Sequence, residues 1–234
     1  MISLKSMARR PLVRKTAKGL GCVLLILIAV SWLQVFFLRF FDPPFSAYMF
    51  LSWLNTRGRS QIWLEWRSLR EISPHLARAV LAAEDQRFFQ HSGFDWIEMK
   101  KAVKDHTQKG RRLRGASTVT MQTARNMFLW PGRSWFRKAL EAWYTVLLEL
   151  FLPKDRILEV YLNTAQFGPN VYGAEAAARR YFNRAAAGLT PYQAAALAVV
   201  LPAPSRRSPV SLTPYLLKRR QKILVDMTGM PIKY

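Results

Sequence analysis

Between Gly19 and Leu38 the chain carries no charged residue, and only Ser31 and Gln34 are clearly polar. About 20 such residues suffice to cross the roughly 30 Å hydrocarbon core of a bilayer as a helix. A helix is the form such a segment must take, because lipid offers backbone N–H and C=O groups no partner. Lys5, Arg9, Arg10, Arg14, Lys15 and Lys18 precede the run without an acid, and Arg39 follows it. The positive-inside rule therefore puts residues 1–18 in the cytoplasm and everything after Arg39 on the far side. A cleaved signal peptide usually has an apolar core of only about 7–15 residues ending at a small-residue site. Here the run continues through Trp32, Phe36, Phe37, Phe40 and Phe41 with no A-x-A. The expectation is one retained transmembrane helix over 19–41, with Cys22 inside it as a small packing residue.

That topology changes the meaning of the charge. The chain has 36 Lys plus Arg against 14 Asp plus Glu, a formal net charge of +22. Such a balance usually points to nucleic acid, but most of it lies on the wrong side of the membrane for that partner. Anionic headgroups fit instead. Half of the residues are apolar, which excludes simple disorder. The single Cys excludes an internal disulfide framework and a Cys-rich zinc module. Residues 42–66 carry Phe45, Tyr48, Met49, Phe50, Trp53, Trp63 and Trp66, interrupted by Pro43, Pro44, Arg57 and Arg59. Rings beside cations suit the headgroup zone; an ordinary core would use the same rings, and both readings stand.

From residue 70 the punctuation is helical. Ser73-Pro74 supplies an N-cap and a first-turn proline for a helix through Ala83. Asp95 with Glu98 has capping-box form and opens a basic helix that Gly110 ends. RRLRGAS (111–117) reads as a flexible basic loop, with Ser117 capping a helix to Asn126. Ser134 starts a long helix broken near Pro153, and a second segment runs from Asp155 to Asn163. Thr190-Pro191 opens an Ala-rich helix that Pro202 stops, and Thr213-Pro214 opens a last basic helix. No strand pattern of any length competes. The expected layout is a catalytic domain over 67–212 and a basic C-terminal helix over 213–234.

Metal and hydrolase motifs are missing. His75, His91 and His106 are scattered, with no H-E-x-x-H, and there is no G-x-S-x-G or P-loop. Carboxylates are scarce enough to be informative. Glu84-Asp85 stands where the apolar stretch 79–83 runs out. A carboxylate beside apolar walls has its pKa raised, which suits a general acid or base, although spacing alone equally describes a plain helix-end carboxylate. Glu141 shares a helical face with Arg137 and Lys138, with Arg133 just upstream and Arg125 on the preceding helix. Those cations are either a solvated ion-pair network or a clamp for a pyrophosphate.

Five ordered motifs then match a family. AAEDQRFFQHSGFD (82–95) resembles the E-D-x-x-F-x-x-H-x-G motif of the peptidoglycan glycosyltransferases. GASTVTMQTARN (115–126) resembles their G-G-S-T-I-T-Q-Q-x-x-K-N, and RKALE (137–141) their R-K-x-x-E. Residues 154–182 and 189–205 are similar to the fourth and fifth motifs. One anchor and no room for a transpeptidase domain point to a monofunctional member.

The resemblance implies a mainly α, lysozyme-like domain with a membrane-facing hydrophobic subdomain. It implies polymerisation of lipid II into glycan strands by inverting β-1,4 transfer, with release of undecaprenyl pyrophosphate at the bacterial cytoplasmic (inner) membrane. By position, Glu84 becomes the general base toward the acceptor 4-hydroxyl. Glu141 becomes the second essential carboxylate, near the donor and its leaving group. Arg125, Arg133, Arg137 and Lys138 align with the cations around the pyrophosphate. Ser117, Thr118, Gln122 and Asn126 align with polar substrate contacts, and Asp85 fits as a partner of Glu84. His91, Gly93, Asn163 and Gly173 read as structural. No cofactor is required, and a divalent cation is compatible with the chemistry. The implied partners are lipid II, the growing strand, the membrane, and other cell-wall synthesis and division proteins.

Three positions depart from the family pattern. Ala116 replaces the second Gly, Met121 the first Gln of the pair, and Arg125 the usual Lys; only the last meets a phosphate, where Lys and Arg differ. The rival functions are a lysozyme-like enzyme that cleaves glycan and a non-catalytic scaffold of a wall-synthesis complex.

Overall fold

The computed structural model describes residues 9–55, 62–109, 117–132 and 134–232, and it is mainly helical. Residues 1–8 of the expected tail 1–18, residues 111–116 of the expected loop 111–117, and Arg57, Arg59 and Arg133 lie outside the described residues. The apolar run forms one helix, α1 (Arg9–Leu38). Its stretch Lys18–Leu38, with mean hydropathy 2.5, is long and apolar enough to cross a membrane. Cys22, expected as a packing residue, is exposed on that helix.

The last turns of α1 dock on the catalytic domain. Trp143 Nε1 donates to Ser31 Oγ at 3.0 Å, and Tyr144 OH donates to Gln34 Oε1 at 2.9 Å. Trp32 and Phe36 meet Phe151 edge-on, and the Arg39 guanidinium donates to the Phe151 carbonyl. The two polar residues of an otherwise apolar run thus bond to the neighbouring helix.

After the turn at Arg39 and Phe40, α2 (Ala47–Asn55) occupies part of the aromatic segment. It buries Met49 and leaves Phe50 and Trp53 exposed, as is Phe45 just before it, so core and surface both draw on that segment. The helix starts follow the caps. Ser73 Oγ accepts from His75 N–H and opens α3 (Pro74–Glu84), one residue longer than expected. Asp95 Oδ1 accepts from the Ile97 and Glu98 amides at the start of α4 (Trp96–Lys109). The other half of the expected capping box is not made there, because Glu98 turns outward to Lys101.

Next come α5 (Val119–Phe128), α6 (Trp135–Phe151) and α7 (Lys154–Thr164). The cap of α5 is Thr118, not Ser117, since Thr118 Oγ1 accepts from the Met121 amide at 3.1 Å. A two-stranded hairpin of β1 (Gln166–Gly168) and β2 (Val171–Tyr172) follows, too short to leave an alternating pattern. Then come α8 (Ala174–Phe182), α9 (Pro191–Val200) and α10 (Pro214–Asp226).

Helix α9 buries every residue from Ala194 to Val200, as expected for a helix that is apolar all round. Its small side chains admit α3 on one flank and α10 beside it, while α5 packs between α6 and α7. These two groups meet where α3 ends. The expected basic C-terminal helix is α10, and it packs on both α3 and α9.

Candidate active site

The two carboxylates at the end of α3 have different surroundings. Glu84 closes the helix, and its side chain is 13% exposed. Its Oε2 accepts from Gln122 Nε2 on α5 at 3.0 Å. Gln122 Oε1 in turn accepts from Tyr161 OH on α7 at 3.1 Å. On the other oxygen, Oε1, the Arg219 guanidinium of α10 stands 3.8 Å away. Burial pushes the Glu84 carboxyl above its ordinary range, and the neighbouring Asp85 charge adds to this. The Gln122 amide, Arg219 and Arg125 pull it back down. A carboxylate so placed remains usable as a base while holding its proton more tightly than a solvated one.

Asp85 is the C-cap of α3, and its side chain is 2% exposed. His91 Nε2 approaches both its oxygens, at 2.9 and 3.2 Å, and the Val119 amide donates to Oδ2 at 2.9 Å. Asp85 therefore places an anion on the first amide of α5, where the helix dipole favours it. Thr118 is equally committed: its Oγ1 donates to the Gly93 carbonyl at 2.6 Å while accepting from Met121. Asp85 and Thr118, expected as substrate contacts, hold the chain segments that frame the site. Ser117 sits half-buried just before that cap, and Arg125 and Asn126 are half-buried on α5.

The residues expected to be structural are so placed. Gly93 has φ +86, and a Cβ there would lie 2.7 Å from Thr145 Cγ2. Gly173 has φ +83, and a Cβ would lie 2.8 Å from the Asn163 carbonyl. Asn163 itself accepts from the Arg67 amide and donates to the Arg67 and Glu159 carbonyls.

Glu141 forms the second cluster, on α6. Its side chain is 2% exposed, with Lys138 Nζ at 2.5 Å and Arg137 Nη1 at 3.7 Å. The Arg137 Nε is buried and bonded to no acceptor among the described residues. An unmet guanidinium N–H is expensive inside a protein and becomes an asset when an oxyanion docks beside it. Helix α5, carrying Gln122 and Arg125, packs directly on α6 and so links the two acidic clusters. Arg133, the remaining expected cation, lies outside the described residues.

Sequence reasoning missed two participants. Arg219 lay in what read as a solvated basic helix, and nothing in the spacing linked it to Glu84. Tyr161 lies in the motif over 154–182, whose resemblance assigns it no role. Regarding metals, Asp85, His91 and Asp95 offer ligand atoms within 4.8 Å of one another. Their oxygens already serve His91, the Val119 amide, the α4 amides and Arg87.

Around the site the surface is greasy. Trp135 is 92% exposed at the start of α6, and Phe136, Trp96 and Ile97 are also exposed. Lys100, Lys101 and Lys104 share α4 with the last two.

A family profile described as Transglycosylase matches residues 52–228. A biosynthetic peptidoglycan transglycosylase of Xanthomonas campestris pv. campestris is 50% identical over 206 residues, covering 85% of this chain and 82% of the relative. Proteins with the same description from Caulobacter vibrioides and Aeromonas hydrophila subsp. hydrophila are 45% and 46% identical over 212 residues. Each alignment covers 90% of this chain, and 91% and 90% of those relatives.

Proposed function

This chain belongs to the transglycosylase family, and from that premise we propose that it polymerises lipid II by inverting transfer with Glu84 as the general base. Glu84 takes the proton of the acceptor sugar's 4-hydroxyl, and the oxygen attacks the donor's anomeric carbon. The bond from that carbon to the pyrophosphate breaks, its electron pair leaves with the lipid pyrophosphate, and the new link is β-1,4. Leaving-group charge develops where Arg137 and Lys138 flank Glu141, with Arg125 between the clusters and Arg133 upstream. Guanidinium forks neutralise it without rearranging during the reaction. Ser117, Gln122 and Asn126 supply polar contacts along the way.

The observation that carries this reading is Glu84 itself. It is a mostly buried carboxylate with raised proton affinity, pinned on one oxygen by Gln122 and faced on the other by a cation. The basic residues before α1 favour a cytoplasmic N-terminus and an extracytoplasmic catalytic domain. The exposed apolar residues of α4 and α6, with adjacent lysines, suit a domain resting on the headgroups above its lipid substrate. Lipid II polymerisation by wild type and Glu84→Gln tests the assignment. Elongated strands from the parent and none from the variant are expected; strand growth by Glu84→Gln would remove Glu84 from the chemistry.

A further inference from the structure

We propose that Tyr161 is a positioning residue for glycosyl transfer: its hydroxyl bond to Gln122 holds that side-chain amide with its N–H toward Glu84. This inference rests on Glu84 acting as the base. Tyr161 sits in the middle of α7 and is 1% exposed. Among the described residues its hydroxyl bonds to Gln122 Oε1 alone, donating at 3.1 Å. Burial and the nearby Glu84 charge hold the phenol well above its usual pKa, so it keeps its proton at working pH. That buried proton needs an acceptor, and Gln122 Oε1 supplies it.

A primary amide has two faces of similar shape and opposite polarity. With Oε1 claimed by Tyr161, Nε2 faces Glu84 Oε2 and donates to it at 3.0 Å. The flipped amide would set a carbonyl oxygen against the carboxylate, tolerable only when Glu84 is protonated and donates. In that flipped state the Tyr161 hydroxyl could accept from Nε2, but its own proton would lose its partner. The tyrosine therefore disfavours the protonated-base arrangement and leaves Glu84 Oε1 as the oxygen free of the amide to receive the acceptor's proton. The other charged groups facing Glu84 are Arg219 on α10, Arg125 on α5 and Asp85 at the end of α3. Among the described residues none of these hydrogen-bonds the Gln122 carbonyl oxygen, so the amide's orientation depends on the phenol.

The test uses the full chain in detergent with lipid II, following initial rates across pH for wild type, Tyr161→Phe, Gln122→Met and the double variant. For Tyr161→Phe, the acid limb of kcat/KM should move to higher pH by up to about one unit, near the worth of one buried unmet polar group. KM at the plateau should stay within about twofold, because the phenol does not reach the substrate. In the Gln122→Met background the same substitution should leave the acid limb unmoved, since there is no amide to orient. A thermal melt of each variant reports folding, and a limb shift in a protein with unchanged secondary structure supports the proposal. An unshifted limb in Tyr161→Phe, or an equal shift with and without Gln122, overturns it. Glu84→Gln run alongside separates the two ideas: an active Glu84→Gln removes the base assignment, whereas an inactive one beside an unshifted Tyr161→Phe removes only the tyrosine's role.

Discussion

Adjacent carboxylates with opposite jobs make Asp85→Asn and Glu84→Gln an informative pair. Asp85 is engaged by His91 and by the first amide of α5, with its side chain 2% exposed. Hydrogen bonds to a buried charged group contribute about 1.5–3 kcal/mol, and leaving a buried donor unmet costs about 1–3 kcal/mol. Asn keeps one carbonyl oxygen but turns an N–H2 toward a donor, so Asp85→Asn should lose about 3 kcal/mol. For a domain of this size that is a fall in Tm of roughly 6–12 °C. Glu84→Gln should go the other way. Burial raises the Glu84 pKa in the folded state, so the ionised form disfavours folding once pH rises through the unfolded value and then the folded one. Above that window Gln removes the cost while keeping the side chain's shape. Its Tm should equal or exceed that of wild type while polymerisation is lost. Thermal unfolding in detergent, beside a lipid II rate assay, reads both quantities. Asp85→Asn melting within about 1 °C of wild type would refute the structural role argued for it, and so would a Glu84→Gln variant that is equally destabilised.

Three further substitutions address the frame and the charges. Gly93→Ala combines a positive φ, which costs a side chain about 1–2 kcal/mol, with a Cβ 2.7 Å from Thr145 Cγ2; a Tm drop exceeding that of any exposed Gly→Ala change is expected in the same melt. Arg219→Gln removes the cation 3.8 Å from Glu84 Oε1, so the base holds its proton to higher pH and the acid limb of kcat/KM moves up, with severalfold lower rates below it. An unmoved limb would place Arg219 outside the site. Arg125→Lys should retain most polymerisation because the charge survives, whereas Arg125→Ala should lose most of it; wild-type-like turnover by the Ala variant ends the role given to Arg125.

Two parts of the molecule show how local and distant information divide. The helix starts were legible because a cap acts over three residues: Ser73-Pro74, Ser134, Thr190-Pro191 and Thr213-Pro214 each open the helix that follows. The hairpin at 166–172 and the true cap at Thr118 were not, since a two-residue strand has no period and Ser and Thr cap alike. Both carboxylates were found because acids are scarce in this chain and the motifs around them are ordered. Their surroundings were another matter. The bond from Asp85 to the Val119 amide spans 34 residues, that from Gln122 to Tyr161 spans 39, and the α1–α6 contacts span about 110.

Sequence alone therefore determined an apolar span, a helical catalytic unit, and the residue types at Glu84 and Glu141. These depend on composition, short spacing and motif order, all of which survive unfolding. Tertiary structure alone decided that Asp85 and Thr118 frame the site, that Arg219 returns from the C-terminal helix to face Glu84, and that Tyr161 has a proton to place. Those outcomes turn on which buried polar group finds which partner, and a buried donor is satisfied by whatever the fold brings within about 3 Å, however far away it lies in the chain.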